Sequence, residues 1–147
     1  MGDRGRYLAQ AREGLEDLGS IKQESRIHET AAWGVEEQPA FLNQAVCLDT
    51  NLSPHNLLEE TQRLERRLDR VREKVWHERT MDIDIIYYDD DVIDTELLQV
   101  PHPRMSERNF VLIPLAEIAP NLPHPKVGKT TELLLHQCPD RLEVRVW

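Results

Sequence analysis

Residues 79–87, Arg79-Thr80-Met81-Asp82-Ile83-Asp84-Ile85-Ile86-Tyr87, constrain this chain more than any other stretch. A short apolar run rich in β-branched residues predicts a buried strand, yet two acids stand in its middle. Side chains two apart on a strand share a face. Asp82 and Asp84 therefore point one way, while Met81, Ile83, Ile85 and Tyr87 point the other, toward a core. The two carboxylates are then about 7 Å apart, and at an effective dielectric of about 20 their repulsion is roughly 2 kcal/mol. Either that face is solvated, or a cation stands beside it. Arg79 is one candidate. A hard metal ion such as Mg²⁺, which combines carboxylate oxygens with water and phosphate, is the other.

The 147 residues are enough for one domain spanning 1–147 with a real core. An apolar content of 39% excludes a wholly disordered chain. The net charge of −9 argues against nucleic acid or an anionic membrane as partner. A local cluster of Arg can still build one pocket for a small anion. Cys47 and Cys138 lack metal-ligand spacing and read as two reduced thiols of a cytoplasmic protein. No apolar run is long enough to span a bilayer, residues 1–4 carry no signal-peptide core, and Arg6 stands where a myristoylation motif needs Ser or Thr.

Taken in order, Leu8, Ala11, Leu15 and Leu18 follow helical spacing, with Asp3 as the expected cap and Gly19 as the stop. A strand is predicted over Ile21–Thr30, and a second, buried on both faces, over Phe41–Thr50. Asn43 is its polar exception, either a satisfied structural amide or one that reads a ligand. The nine residues 31–39 between them are long for a hairpin turn and read as a binding loop. Ser53-Pro54 opens a helix. Leu57, Leu58, Thr61, Leu64 and Leu68 form its apolar face, and Glu59, Arg63, Arg66 and Arg67 its solvated one. Residues 69–78 form a basic connection, with Arg70, Arg72 and Lys74 followed by Trp76 and His77. Guanidinium forks there suit phosphate oxygens. His102 is held between Pro101 and Pro103 in a rigid loop. A short helix is expected to start near Pro114, a last one to be capped by Thr130, and a final strand to run over Leu142–Trp147.

Several of these pieces together resemble one family. They are Arg79-Thr80-Met81-Asp82-Ile83-Asp84-Ile85, Val100-Pro101-His102-Pro103-Arg104-Met105, Arg108-Asn109-Phe110-Val111-Leu112, Pro114-Leu115 with Glu117-Ile118-Ala119-Pro120, and Pro39-Ala40-Phe41-Leu42-Asn43-Gln44-Ala45-Val46. The set is similar to hydroxymethyldihydropterin pyrophosphokinase of folate biosynthesis and covers nearly the whole chain. The resemblance implies an α+β fold, a ferredoxin-like antiparallel sheet packed with helices. It implies transfer of the pyrophosphoryl group of ATP to the hydroxymethyl oxygen of the dihydropterin, with release of AMP. Asp82 and Asp84 match the ligands of two Mg²⁺ ions. Arg70, Arg72 and Trp76 fall in what resembles the family's mobile catalytic loop, and Arg79, His102 and Arg108 match phosphate-contacting positions. Gln62 and Ile85 fall where the nucleotide binds. Asn43 would read the pterin amide edge, Phe41 and Phe110 would stack on its ring, and Thr30 and Trp33 lie in the matching pterin loop.

The chain departs from the family at three places. His77-Glu78 follows Trp76 where the family usually has Gly-Pro, and Ala31-Ala32-Trp33 replaces a Pro-Pro-Leu-like loop. The chain also begins where the family has Leu-Gly-Asp-Arg, beyond its first strand and Gly-Ser-Asn turn. The expectation is therefore that upstream residues supply that strand. A catalytically impaired pterin- or nucleotide-binding relative is the competing outcome. A monomer is expected unless an exposed sheet edge drives association. An unrelated two-aspartate nucleotidyltransferase gives no reason for Phe41, Asn43 and Phe110.

Overall fold

The computed structural model describes residues 2–30, 41–73 and 82–147, and side chains for 4–30, 41–70 and 82–147. Trp33, Trp76 and Arg79 lie outside the described residues. The fold is α+β, with antiparallel sheets. Two compact units divide the chain, Met1–Ile21 with Leu48–Ile85, and Lys22–Cys47 with Ile86–Trp147.

The first unit pairs two helices. In α1 (Gly2–Glu16) the buried stripe is Tyr7, Ala11 and Leu15, spaced by one helical turn. The helix starts at Gly2, so Asp3 lies inside its first turn and is not the expected cap. The α1 helix packs on α2 (Pro54–Glu73), and a Cβ at Gly14 would run into the Leu64 side chain. Gly19 passes just as close to backbone, because a Cβ there would strike the carbonyl oxygen of Asp49. In α2, Ser53 Oγ accepts the Asn56 N–H at 3.3 Å, and Leu57, Thr61, Leu64 and Leu68 are buried as their spacing predicts. The helix continues beyond Leu68 to Glu73, so Arg70 and Arg72 are helical and not part of a loop. The sequence Asp-Arg-Val-Arg-Glu over 69–73 contains no glycine or proline to stop it.

The acidic segment corrects a second expectation. Asp82 and Asp84 are exposed while Ile83 and Ile85 are half-buried, the alternation an extended chain requires. Residues 82–88 nonetheless form no strand ladder. Their hydrogen bonds go elsewhere: Ile83 donates its N–H to a side chain, Glu65 Oε2, at 3.2 Å, and Ile86 accepts the His102 N–H at 3.0 Å.

The two predicted strands of the hairpin each break in the middle. β1 (Ser20–Glu24) pairs with β4 (Val46–Asp49), and β2 (His28–Thr30) pairs antiparallel with β3 (Phe41–Asn43). The break lies at Ser25 on one side and at Gln44 and Ala45 on the other. Ser25 donates its N–H to the Ala45 carbonyl at 2.8 Å, but the Ala45 N–H goes to Ser25 Oγ at 2.9 Å, so half of that rung is a side chain. The Ser25 hydroxyl donates in turn to the Arg26 carbonyl at 2.7 Å, and Gln44 Nε2 to the Ser25 carbonyl at 2.8 Å. In β4, Cys47 and Asp49 are exposed, so this half of the predicted strand is not buried on both faces.

β2 is the centre of a three-stranded antiparallel sheet, flanked by β3 and by β7 (Val144–Val146). β5 (Ile93–Asp94) and β6 (Gln99–Val100) form a small hairpin. A 3₁₀ turn over Met105–Glu107 leads into α3 (Asn109–Ile118), which starts five residues before the expected site and carries Pro114 in its interior. Proline there removes one helical hydrogen bond, to the Phe110 carbonyl. Burial offsets that loss, since Pro114 is among the most enclosed side chains. Thr130 caps α4 (Thr131–His136) by accepting the Leu133 N–H at 3.2 Å, as expected. Met105, Leu112, Leu115, Leu134 and the free thiol Cys138 form the core beneath α3 and α4. Among the described residues no helix is long and apolar enough to cross a membrane.

Ser25 is 4% exposed and Ala45 half-buried, so Ser25→Ala takes from the Ala45 N–H its hydrogen-bond partner where water reaches it only in part. Chemical denaturation of this variant should show a loss of about 1–3 kcal/mol.

Candidate functional site

In the first unit the predicted residues sit on α2 and on the acidic segment. Gln62 and Arg70 are exposed on α2, Arg72 lies in its last turn, and Ile85 is half-buried at the end of the segment. Asp82 and Asp84 project from the opposite side of the pleat to Ile83. Glu65, a residue the sequence reading passed over, faces them. It lies on the half-buried flank of α2 with Leu58 and Asp69, seven and four residues away. Burial pushes its carboxyl pKa up. The Ile83 N–H works against that, and the charges of Asp82, Asp84 and Asp69 add to it. Its signal in the sequence was a Glu at the border of a leucine stripe, which by spacing alone is an ordinary helix-surface residue.

This donor set suits a hard cation. Among the described residues no group of three or more His, Cys, Asp or Glu is arranged to hold a metal on its own. A pair of exposed carboxylates is what Mg²⁺ takes when substrate phosphates and water complete its octahedron.

In the second unit the strand register assembles one face. Thr30 opposes Phe41, and His28 opposes Asn43. Residues directly opposite share a face, as do residues two apart, so these four lie together. Asn43 Nδ2 donates to Thr30 Oγ1 at 3.3 Å, which orients the amide. The α3 helix packs on this sheet and brings in Phe110 from its first turn. The Arg108 guanidinium stands 5.7 Å from the centroid of the Phe110 ring, in cation–π range. His102 Nδ1 accepts the Arg104 N–H at 3.2 Å, so the proton of the neutral ring sits on Nε2.

A charged cluster beside this face was also not foreseen. Glu117 of α3 takes the His28 ring at 2.7 Å, the Arg26 N–H at 2.9 Å, and the Arg26 guanidinium at 2.9 and 3.2 Å. Burial raises the Glu117 pKa, but the bonds from Arg26 and the bond and charge of His28 outweigh it and hold the carboxyl down at about 2. Two shallow surface depressions, one at Leu18–Ser20 with Asp49–Leu52 and one at Pro139–Leu142, are lined by none of the predicted residues.

The exposed carboxylate pair of the first unit suits a phosphate-bridging cation, and the amide near aromatic positions in the second suits a flat, polar-edged heterocycle. Comparison with known proteins makes this specific. Residues 1–120 match the family described as 7,8-dihydro-6-hydroxymethylpterin-pyrophosphokinase (HPPK), and the chain belongs to that family. It is 44% identical over 149 residues to the 2-amino-4-hydroxy-6-hydroxymethyldihydropteridine pyrophosphokinase of Bacillus subtilis, covering all of this chain and 84% of that protein. It is 42% identical over 125 residues to the Aquifex aeolicus protein of the same name, covering 85% and 78%. It is 37% identical over 140 residues to the folic acid synthesis protein FOL1 of Dictyostelium discoideum, covering 95% of this chain and 21% of that longer protein.

A carboxyl held below its ordinary value of 4.5 stabilises the fold above that pH and stops doing so as pH falls toward about 2. The stability difference between the parent and Glu117→Gln, measured in urea, should be full at pH 7 and shrink between pH 4.5 and 2.

Proposed function

We propose that this chain transfers the pyrophosphoryl group of ATP to the hydroxymethyl oxygen of 6-hydroxymethyl-7,8-dihydropterin, releasing AMP in folate biosynthesis, and that it acts as one catalytic domain over 1–147. Membership of the family supports the reaction. The observation that carries it onto this chain is the outward pair Asp82 and Asp84, exposed on an extended segment whose intervening residue turns inward.

Asp82 and Asp84 hold two Mg²⁺ ions, which when bound screen phosphate charge at the attacked phosphorus and acidify the pterin hydroxyl. Gln62 and Ile85 bind the nucleotide. Arg70, Arg72, Arg79 and Trp76 act on the phosphates, where guanidinium forks match the oxygens. His102 donates through Nε2–H and needs no positive charge to do so. Arg108, held over Phe110, sets a phosphate-contacting cation beside a ring-stacking position. Phe41 and Phe110 sandwich the pterin, Asn43 reads its amide edge, and Thr30 fixes the rotamer of Asn43. Trp33 binds the pterin through its backbone groups. The protein works in the cytoplasm as a monomer.

The deciding assay is AMP release from ATP with hydroxymethyldihydropterin and Mg²⁺; no AMP release by a folded protein would overturn the proposal. Asp82→Ala and Asp84→Ala should each lose detectable turnover, while melting temperature holds or rises because like-charge repulsion is relieved. Arg70→Ala and Arg72→Ala should lower the single-turnover rate by about 10²-fold, the scale for preorganised donors, with ATP affinity little changed.

A further inference from the structure

We infer that Asp140 is a positioning residue for the reaction: its carboxylate ties the start of α3 to the segment that leads into β7, and so sets where Arg108 and Phe110 stand against the sheet. This rests on the roles given to Arg108 and Phe110 in the proposed function. Three hydrogen bonds carry it. Asp140 Oδ2 accepts the Asn109 N–H at 3.2 Å, and Asp140 Oδ1 accepts the Leu142 N–H at 2.9 Å. Asn109 Nδ2 donates to the Leu142 carbonyl at 2.7 Å. Asn109 is the first residue of α3, stands between Arg108 and Phe110, and is 8% exposed.

The first N–H groups of a helix need acceptors, and the residue just before the helix commonly supplies one from its own side chain. Arg108 holds that position, makes no capping bond, and has no acceptor atom to make one with. Asp140, 31 residues further along, supplies the acceptor instead. A carboxylate is the type that the positive end of a helix favours. Capping from a distance leaves the Arg108 guanidinium to the Phe110 ring and to a phosphate.

The bridge stands on fixed ground. Asp140 follows Cys138, 3% exposed in the core, by two residues, and Leu142 precedes Val144 by two. Val144 is the β7 residue directly opposite Thr30. A continuous path thus runs from Thr30 through Val144 and Leu142 to Asn109 and Phe110. Glu117 pins the far end of α3 to Arg26 and His28. Asp140 pins the near end, about 10 Å of helix away, where the substrate residues are.

Thr130→Ala is the comparison that separates position from stability. Thr130 caps α4 in the same unit by the same kind of bond, to the Leu133 N–H. Asp140→Ala and Thr130→Ala should both lower the melting temperature, by about 2–8 °C. In AMP-release assays well below both melting temperatures, Asp140→Ala should raise the KM for hydroxymethyldihydropterin about 10-fold, a modest displacement on a scale where 1 Å costs about 10²-fold. Thr130→Ala should keep that KM within about 2-fold of parental. A parental KM in Asp140→Ala overturns the inference, as does an equal rise in Thr130→Ala, which would make the effect one of stability alone. Where Asp140→Ala does not fold, Asp140→Asn takes its place. An amide has one acceptor oxygen for two N–H groups, so one of the two bonds is lost and the KM should rise at least about 3-fold; a parental KM there also overturns the inference. Phe110→Ala tests the assignment underneath. If it keeps the parental KM, the role of Phe110 fails; if its KM rises while that of Asp140→Ala is parental, only the role of Asp140 fails.

Discussion

Like charges that share one side of an extended chain must be kept there against their own repulsion, and the first unit is built around that constraint. Asp82 and Asp84 reach solvent, where water screens them, and Ile83 and Ile85 turn away between and after them. The α2 helix meets this segment through Glu65, whose Oε2 accepts the Ile83 N–H at 3.2 Å. The helix can do this because Leu57, Thr61, Leu64 and Leu68 seat it on a buried face, and because glycine at 14 lets α1 approach it closely.

The second unit substitutes a side chain for backbone at Ser25, whose hydroxyl accepts the Ala45 N–H. A continuous hairpin would hold one alternation of inward and outward residues along its length. The hydroxyl rung between Ser25 and Ala45 interrupts it, so His28 and Thr30, not Ile27 and Glu29, become the deeply buried positions of β2. That phase is what places Thr30, Phe41 and Asn43 on the face that α3 covers, and it is what brings His28 to Glu117. Charges on the other side of the same strand pair separately, Glu29 with Arg145 of β7 at 3.3 Å.

Much of the helical structure was legible in the sequence, because helix periodicity and caps are local. Ser53-Pro54 opens α2, its leucine stripe is buried, and Thr130 caps α4, all within a few residues of the signal that predicts them. What was not legible depends on distant partners. Nothing near Ser25 says that its hydroxyl will meet the N–H of Ala45, so two unbroken strands were expected. Nothing in the run at 82–88 says that no ladder will form, since β-branched residues fit any extended conformation. Pro114 reads as a helix start, and only the packing of α3 shows it buried in mid-helix. Of the site, the outward pair Asp82 and Asp84 followed from period two alone. Glu65, His28 and Glu117 did not, because each acts across 18 residues or more, in contacts no local pattern encodes.

The two thiols of this chain stand in opposite surroundings, and that makes them a matched pair of reporters. Cys47 lies on the outer side of β4, open to reagents, while Cys138 is 3% exposed in the core under α3 and α4. A maleimide dye meets only the first in the native protein, so the chain carries a single attachment point for fluorescence or spin labelling without any cysteine being added or removed. The second thiol is reached only when that core opens, so its slower modification clocks the opening. One labelling experiment thus reads the surface of the sheet and the integrity of the helical layer at different times, from the same molecule.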